Sequence, residues 1–499
     1  MFFPTFQFAV FFLIVFFLYW YIFRQEKQRK ILLVIASYIF YAFWNWKFCI
    51  LIFAVTAVNY FYGFLLEKEK NYHPRKCILI VITILNILYL CFFKYIYGLL
   101  EFFNFYFPDM YNNSLFLTQI KNFSLLLPVG VSYYTFKCMS YIFDIYLCKM
   151  QHSKSFWDVL LYVSFFPQIS SGPIVQAEYF FKNLPETLNS DKEKNSRPIE
   201  LDKAVLLFLS GLYKKVIIAN FLTILVTDKI FANPQFYNTW ELIFGILCCT
   251  IIIYADFSGY SDMAISIALF FGFKTPANFN RPYLSKSVSE FWRRWHISFS
   301  AWLRDYLYFA LGGSRFGLVR TLFGLFFTML IAGLWHGAKL NFIIWGCLQG
   351  LILIIERIFY VRNKIKKFGE VENKVLGAGH FEESKNKNKF LNGIRIFLVF
   401  IFINISWFIF FLKDFEELKL YIISFKNTLK PFHLITPFML IVFAAGLVLQ
   451  LPSEKIRNKF FELYTHIPLI FKAFFTAAVM GLIYAVSTSG IPQFIYFGF

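Results

Sequence analysis

Apolar segments of about 20 residues recur along nearly the whole chain, and this recurrence limits the possible folds more than any other feature. That length matches the hydrocarbon core of a bilayer. Inside lipid a backbone must satisfy its own polar groups, which a single segment does only as a helix. The clearest segments are 6–23, 31–46, 48–66, 77–93, 205–225, 239–255, 318–335, 341–360, 394–412, 433–451 and 467–486. The stretches 122–147, 155–182 and 257–273 are apolar but interrupted by polar residues, proline or glycine, and read as spans, half-spans or re-entrant helices. The expected fold is all-α and polytopic, with roughly 11–13 membrane helices plus interfacial and re-entrant ones.

Composition supports this. Of 499 residues, 59% are hydrophobic and only 16% charged, where soluble domains carry about a quarter charged. The net charge of +20 raises nucleic acid as a partner, but no basic helix or aromatic module accompanies it. The charge gathers instead in Arg24–Lys30 (RQEKQRK), Glu67–Lys76 (EKEKNYHPRK), 361–390 and 453–459. Positive loops face the cytoplasm, so both termini, including the tail Phe494–Phe499, are expected outside. Phe6–Phe23 is too long for a signal peptide's apolar region and follows no basic stretch, so it reads as a retained first span. The 8 cysteines form no Cys-x-x-Cys pair and read as small buried hydrophobes; no metal site is expected. The organisation expected is a membrane core at 1–360, a cytoplasmic polar linker at 361–390 and a C-terminal transmembrane bundle at 391–499. A second polar connection covers 183–203.

Polar chemistry concentrates at 256–337. Asp256, Ser258 and Asp262 sit in an apolar context, where ionisable groups are functional or satisfy a broken helix. Gly259 is expected to unwind that helix, with Asp256 or Ser258 capping a new helix beyond it. Asn280 precedes Arg281-Pro282, a turn or extended entry. Ser287 and Glu290 form a capping box. From there Val288, Phe291, Trp292, Trp295, Phe299 and Trp302 recur at helical spacing, with Arg293, Arg294 and Arg304 elsewhere on the helix. That predicts one interfacial helix with aromatics at headgroup level. His296 lies one turn from Trp292 and is either a hydrogen-bonded histidine in an aromatic interface or an active-site group. Asp305 continues the segment, and Gly312-Gly313 turns the chain back. His336 closes the next span between Gly333, Trp335 and Gly337. An imidazole titrates near neutral pH and serves as base or nucleophile, and the flanking glycines suggest room for a thioester or hydroxyl.

The run Asn278–Arg315 (NFNRPYLSKSVSEFWRRWHISFSAWLRDYLYFALGGSR) followed by Gly333–Gly337 (GLWHG) resembles the membrane-bound O-acyltransferases, in the bacterial branch of the alginate and peptidoglycan O-acetyltransferases. Weaker matches precede it in order: Ser37–Tyr41, Leu127–Phe136, Phe165–Gln168, Ser171–Ile174 and Gly211–Lys215, with Ser171 where the family usually has Ala. The likeness runs from about residue 30 to 360. It implies a ring of helices around a central funnel or tunnel, and acyl transfer in which His336 matches the family's near-invariant histidine and His296 its second. Trp335, Asp256, Ser258, Asn280, Arg293, Arg294 and Asp305 are the expected substrate or tunnel residues; anchoring to lipid headgroups is the stronger reading of the two arginines.

The resemblance further implies no bound cofactor, acetyl-CoA or another acyl thioester as donor, the bacterial cytoplasmic (inner) membrane as location, and a separate extracytoplasmic O-acetyltransferase as partner. The expected acceptor is a cell-envelope polysaccharide, peptidoglycan before alginate or another exopolysaccharide; teichoic-acid D-alanylation is a lesser option. A transporter or flippase without covalent chemistry is the alternative of a different class. It explains the spans and the intramembrane carboxylates but not the block at 278–337.

Overall fold

The computed structural model describes residues 1–108, 114, 128–185, 188, 200–368, 388–412, 414–426 and 430–486. Among these there is no strand. The helices are α1 (Phe6–Ile22), α2 (Glu26–Asn45), α3 (Lys47–Lys68), α4 (Tyr72–Tyr106), α5 (Val131–Tyr146), α6 (Phe156–Ser164), α7 (Ala177–Lys182), α8 (Leu201–Ala232) and α9 (Thr239–Phe270). Two short helices come next, α10 (Val288–Arg294) and α11 (Ile297–Trp302). Then come α12 (Leu318–His336), α13 (Leu340–Phe368), α14 (Lys389–Phe411), α15 (Phe415–Ser424), α16 (Pro437–Val448), α17 (Glu454–Thr465) and α18 (Leu469–Val486).

Helices α3, α4, α8, α9, α12, α13 and α14 are long and apolar enough to cross a membrane, and α1, α16 and α18 are shorter apolar helices. Their outer faces expose large apolar side chains such as Leu13, Ile50, Leu88, Phe397 and Leu482, a surface that suits lipid and not water. The chain is an all-α, multi-pass membrane protein.

The spans differ from the sequence reading at definite places. Segments 239–255 and 257–273 are not two pieces. Helix α9 runs unbroken through Gly259, so that glycine does not unwind it and neither Asp256 nor Ser258 caps a new start. Gly259 serves close approach instead: a Cβ there would meet the Gly211 carbonyl oxygen at 2.8 Å. Stretch 155–182 is not a span either. It is α6 and α7 joined by a buried non-helical loop. That loop finds partners on neighbouring elements, with Phe166 N–H donating to Ser37 Oγ of α2 (3.0 Å) and Tyr162 Oη of α6 to the Val175 carbonyl (2.8 Å). Cys77 and Cys148 are exposed and Cys49, Cys91 and Cys347 half-buried rather than buried; Cys148 lies in the turn beyond the end of α5. Residues 122–127, most of 183–203 and of 361–390, and the tail 494–499 lie outside the described residues.

The chain divides into two compact units, one of Met1–Ala204 with Met263–Pro276, the other of Val205–Asp262 with Ala277–Phe499. In the first, α3 and α4 are locked by reciprocal amide bonds between buried Asn59 and Asn86 (3.0 and 2.9 Å). In the second, α12 and α13 cross at glycines. A Cβ on Gly333 would strike the Phe342 carbonyl at 2.4 Å, and one on Gly346 the Met329 carbonyl at 2.7 Å. This crossing holds His336 against α13.

Candidate active site

The segment 278–302 is built as two helices braced by a strap. Ser287 Oγ accepts from Glu290 N–H (3.0 Å), as the capping box requires, while the Glu290 carboxylate turns to Lys286 N–H (2.8 Å). Glu356 on α13 adds a second cap, its carboxylate accepting from Val288 and Ser289 N–H, the latter at 2.9 Å. Helix α10 then stops. The expected single helix is broken at Trp295-His296, because residues 278–280 run alongside and take the backbone bonds. Asn280 N–H donates to the Arg294 carbonyl and Ile297 N–H to the Asn278 carbonyl, both at 2.9 Å. His296 is thereby held at φ 43°, ψ 53°, a left-handed conformation that costs an L-residue about 1–2 kcal/mol. Strain of this kind concentrates at functional sites.

The aromatic face is also not at a headgroup surface. Val288, Phe291, Trp295, Phe299 and Trp302 are all buried within the second unit. Phe257 of α9 meets the His296 ring edge-on at 4.5 Å, and Phe299 stacks on it at 5.0 Å. Phe299 stacks in turn on Trp335 (4.5 Å), which touches His336 (4.6 Å). The two histidines, 2% and 5% exposed, are thus joined through two aromatic rings in one cluster. Burial alone pushes the His296 pKa down to about 3, which keeps its ring neutral.

Around His336 the wall is aromatic. Trp345 and Phe410 stand perpendicular to its ring at 5.4 and 4.8 Å, and Phe342 lies at 6.0 Å. Trp345 stacks on Trp407 (5.8 Å). Trp292 sends its indole N–H to Gln349 (3.1 Å), but the buried Nε1 atoms of Trp345 and Trp407 have no acceptor among the described residues. The glycines beside His336 do not leave open room as expected: Gly333 seats the helix crossing, and a Cβ on Gly337 would meet the Phe342 ring at 3.0 Å.

The other expected residues divide. Trp335 sits between the histidines. Asp256 is buried in an ion pair with Lys215, and Asp262 pairs with Lys214 at 2.6 Å; Ser258 is buried on the same helix. Asn280 and Arg293 are exposed. Arg294 is ion-paired with Glu290, and Asp305 with Arg304 (2.7 Å). The last four therefore do not join the histidine cluster. Sequence reasoning did not single out Asn278, Trp345 and Trp407 of this cluster, nor the two lysines that pair with the carboxylates. The signals for the lysines were present, since GLYKK supplies two cations and DFSGYSD two carboxylates; Trp407 lies past the recognised motifs and carried none.

Comparison with known proteins places the chain among relatives of one family. The family model for the membrane-bound O-acyltransferase family covers residues 148–370, which include both histidines. The chain is 40% identical over 352 residues to a probable alginate O-acetylase of Pseudomonas syringae, 69% of this chain and 64% of that protein. It is 32% identical over 450 residues to the peptidoglycan O-acetyltransferase of Helicobacter pylori, 83% and 77% respectively. It is 28% identical over 255 residues to the teichoic acid D-alanyltransferase of Bacillus subtilis, 48% and 61%. The chain therefore spans less than two thirds of the length of the first and last of these relatives. With the block at 278–337 folded into a single cluster around two buried histidines, this chain belongs to the membrane-bound O-acyltransferase family.

Proposed function

We propose that this protein is an acyltransferase that moves an acetyl group from a cytoplasmic thioester, acetyl-CoA in the simplest case, across the bacterial cytoplasmic membrane for O-acetylation of a cell-envelope polysaccharide. The observation that carries this reading is the pair of buried histidines joined through Phe299 and Trp335. A thioester is activated, but CoA does not cross lipid. A tunnel ringed by helices, with an imidazole partway along it, lets the acyl carbon meet an acceptor from the other side. His336 takes the proton from the acceptor hydroxyl as its oxygen bonds to the acyl carbon. The C–S bond breaks, and the departing thiolate takes that proton. The indole N–H groups of Trp345 and Trp407 supply donors for the carbonyl oxygen as negative charge grows on it.

Peptidoglycan is the favoured acceptor, supported by a match that covers 83% of this chain. An exopolysaccharide such as alginate is the second reading, supported by the higher identity of 40%. In either case a separate extracytoplasmic O-acetyltransferase finishes the transfer. The basic loops support an orientation with both termini outside. The test is acetyl transfer, or hydrolysis of radiolabelled acetyl-CoA, by purified protein in nanodiscs, alongside His336→Ala. Thioester cleavage by the native protein and none by the variant is expected. Absence of cleavage, with transport of an intact solute, would place the chain among transporters. Deletion of the gene should remove O-acetyl groups from peptidoglycan; loss from the secreted polysaccharide alone would move the assignment to the second reading.

A further inference from the structure

We infer that His296 is a substrate-binding hydrogen-bond acceptor whose tautomer is set by Asn278, so that Nε2 presents a lone pair to a neutral O–H or N–H donor. The inference rests on the acyltransferase reading for the identity of that substrate, though not for the tautomer itself.

At the start of α11, His296 occupies the position where a serine, threonine, aspartate or asparagine ordinarily caps a helix, yet its side chain makes no cap bond. Asn278 does this from a distance in sequence. Its Oδ1 accepts from Ser298 N–H (3.2 Å) and from Ser298 Oγ (2.9 Å). The His296 Nδ1 lies 3.2 Å from the same oxygen. On the other side, the Asn278 amide nitrogen donates to Ser261 Oγ of α9 (3.2 Å).

These bonds fix which way the amide faces. Rotating it by half a turn would set its NH2 against the Ser298 N–H, donor against donor. With the oxygen facing the ring, Nδ1 must carry the proton, because a carbonyl oxygen only accepts. Nε2 is then the unprotonated nitrogen. That atom is buried and has no partner among the described residues. Phe257 and Phe299 pack on the ring, and no charged group acts on it beyond the effect of burial. An imidazole in such surroundings is too weak a base to remove a proton from a hydroxyl. It is well suited to accept a hydrogen bond without becoming charged.

Two parts of the reaction offer such a donor: an amide N–H of the thioester's pantetheine arm, or the acceptor hydroxyl, for which a sugar hydroxyl stands in when the partner transferase is absent. The experiment distinguishes them. Membranes holding histidine labelled with nitrogen-15 are examined by solid-state NMR, with His296→Gln used to assign its signals. An Nδ1–H, Nε2-unprotonated ring is expected; an Nε2–H ring would overturn the inference. This arm does not depend on activity, so it stands apart from any failure of His336→Ala to abolish transfer, which would sink the acyltransferase site instead.

Kinetics use acetyl-CoA as donor and chitotriose as hydroxyl acceptor. Asn278→Ala should raise the KM of one substrate about tenfold while kcat changes less than about threefold. A rise for acetyl-CoA identifies the pantetheine arm, and a rise for chitotriose the sugar hydroxyl. Unchanged KM values for both would overturn the inference. Asn278→Asp guards against a folding defect, since a carboxylate caps α11 as well as an amide does. It also draws a second proton onto the ring and turns Nε2 into a donor. Activity of this variant should be lost at neutral pH and regained on the alkaline side. A native pH profile would mean that Asn278 only caps the helix.

Discussion

Two buried polar clusters in this protein differ in how completely they are satisfied. In the first unit, Lys137 is 1% exposed, yet its ammonium donates to the Tyr162 carbonyl (2.8 Å) and to Gln168 Oε1 (3.0 Å), with the Tyr162 ring 5.2 Å away. Gln168 passes its amide N–H to Thr275 (3.0 Å). In the second unit, the cluster around His296 and His336 leaves His296 Nε2 and the indole nitrogens of Trp345 and Trp407 without protein partners among the described residues. A network whose donors and acceptors are matched holds a buried loop in place. One that leaves a histidine nitrogen and two indole N–H groups unmatched in an apolar wall, with a strained backbone at the histidine, keeps hydrogen-bonding capacity that a substrate could use.

The contrast is broken most directly by changing one residue in each cluster. His336→Ala should lower acyl transfer by about 10,000-fold, the upper range for loss of a general base, with thermal stability in detergent unchanged. Lys137→Ala should do the reverse. It strands a buried carbonyl and a buried amide oxygen, and should destabilise the protein by about 3 kcal/mol, read as a lowered melting temperature and poor recovery. Activity per folded molecule should stay within about threefold. A stable, inactive Lys137→Ala would mean that the first cluster also meets substrate.

The wall around His336 gives a smaller effect. Trp345→Phe keeps an aromatic ring and deletes one N–H, and should reduce kcat about 100-fold with little change in KM, as loss of one oxyanion donor does. If kcat holds while stability falls, Trp345 is packing alone.

How much of this was legible in the sequence depends on whether each feature is local. Most spans were legible because lipid demands long apolar helices; the exception among the clearest segments is 31–46, which lies in α2, a helix whose charged start keeps it out of that group. The block from Ser287 to His336 was legible because its capping box and its aromatic spacing are local patterns. The break at His296 was not, since it is imposed by residues 278–280 through backbone bonds that no periodicity announces. The glycines were misread for a similar reason. Gly259, Gly333 and Gly337 looked like points of weakness or open space, yet each is filled by a neighbouring element in the folded chain. Asp256 and Asp262 were visible as costly groups, but their partners Lys215 and Lys214 come from α8, more than 40 residues earlier.

The smallest effect tests which device positions His296. Helix α10 has only seven residues, so its amides matter in proportion, and two acceptors serve them. Ser287 Oγ takes the Glu290 N–H, while Glu356 takes those of Val288 and Ser289. Losing a serine cap ordinarily costs about 1 kcal/mol. With Glu356 still in place, Ser287→Ala should destabilise by no more than that and leave kcat within twofold. His296 lies beyond the end of α10 and is tied to the strap at Asn278, so fraying at Ser287 should not reach it. A tenfold fall in kcat from Ser287→Ala would show that the start of α10 carries the geometry to His296, and the role given to the strap would then pass to that helix.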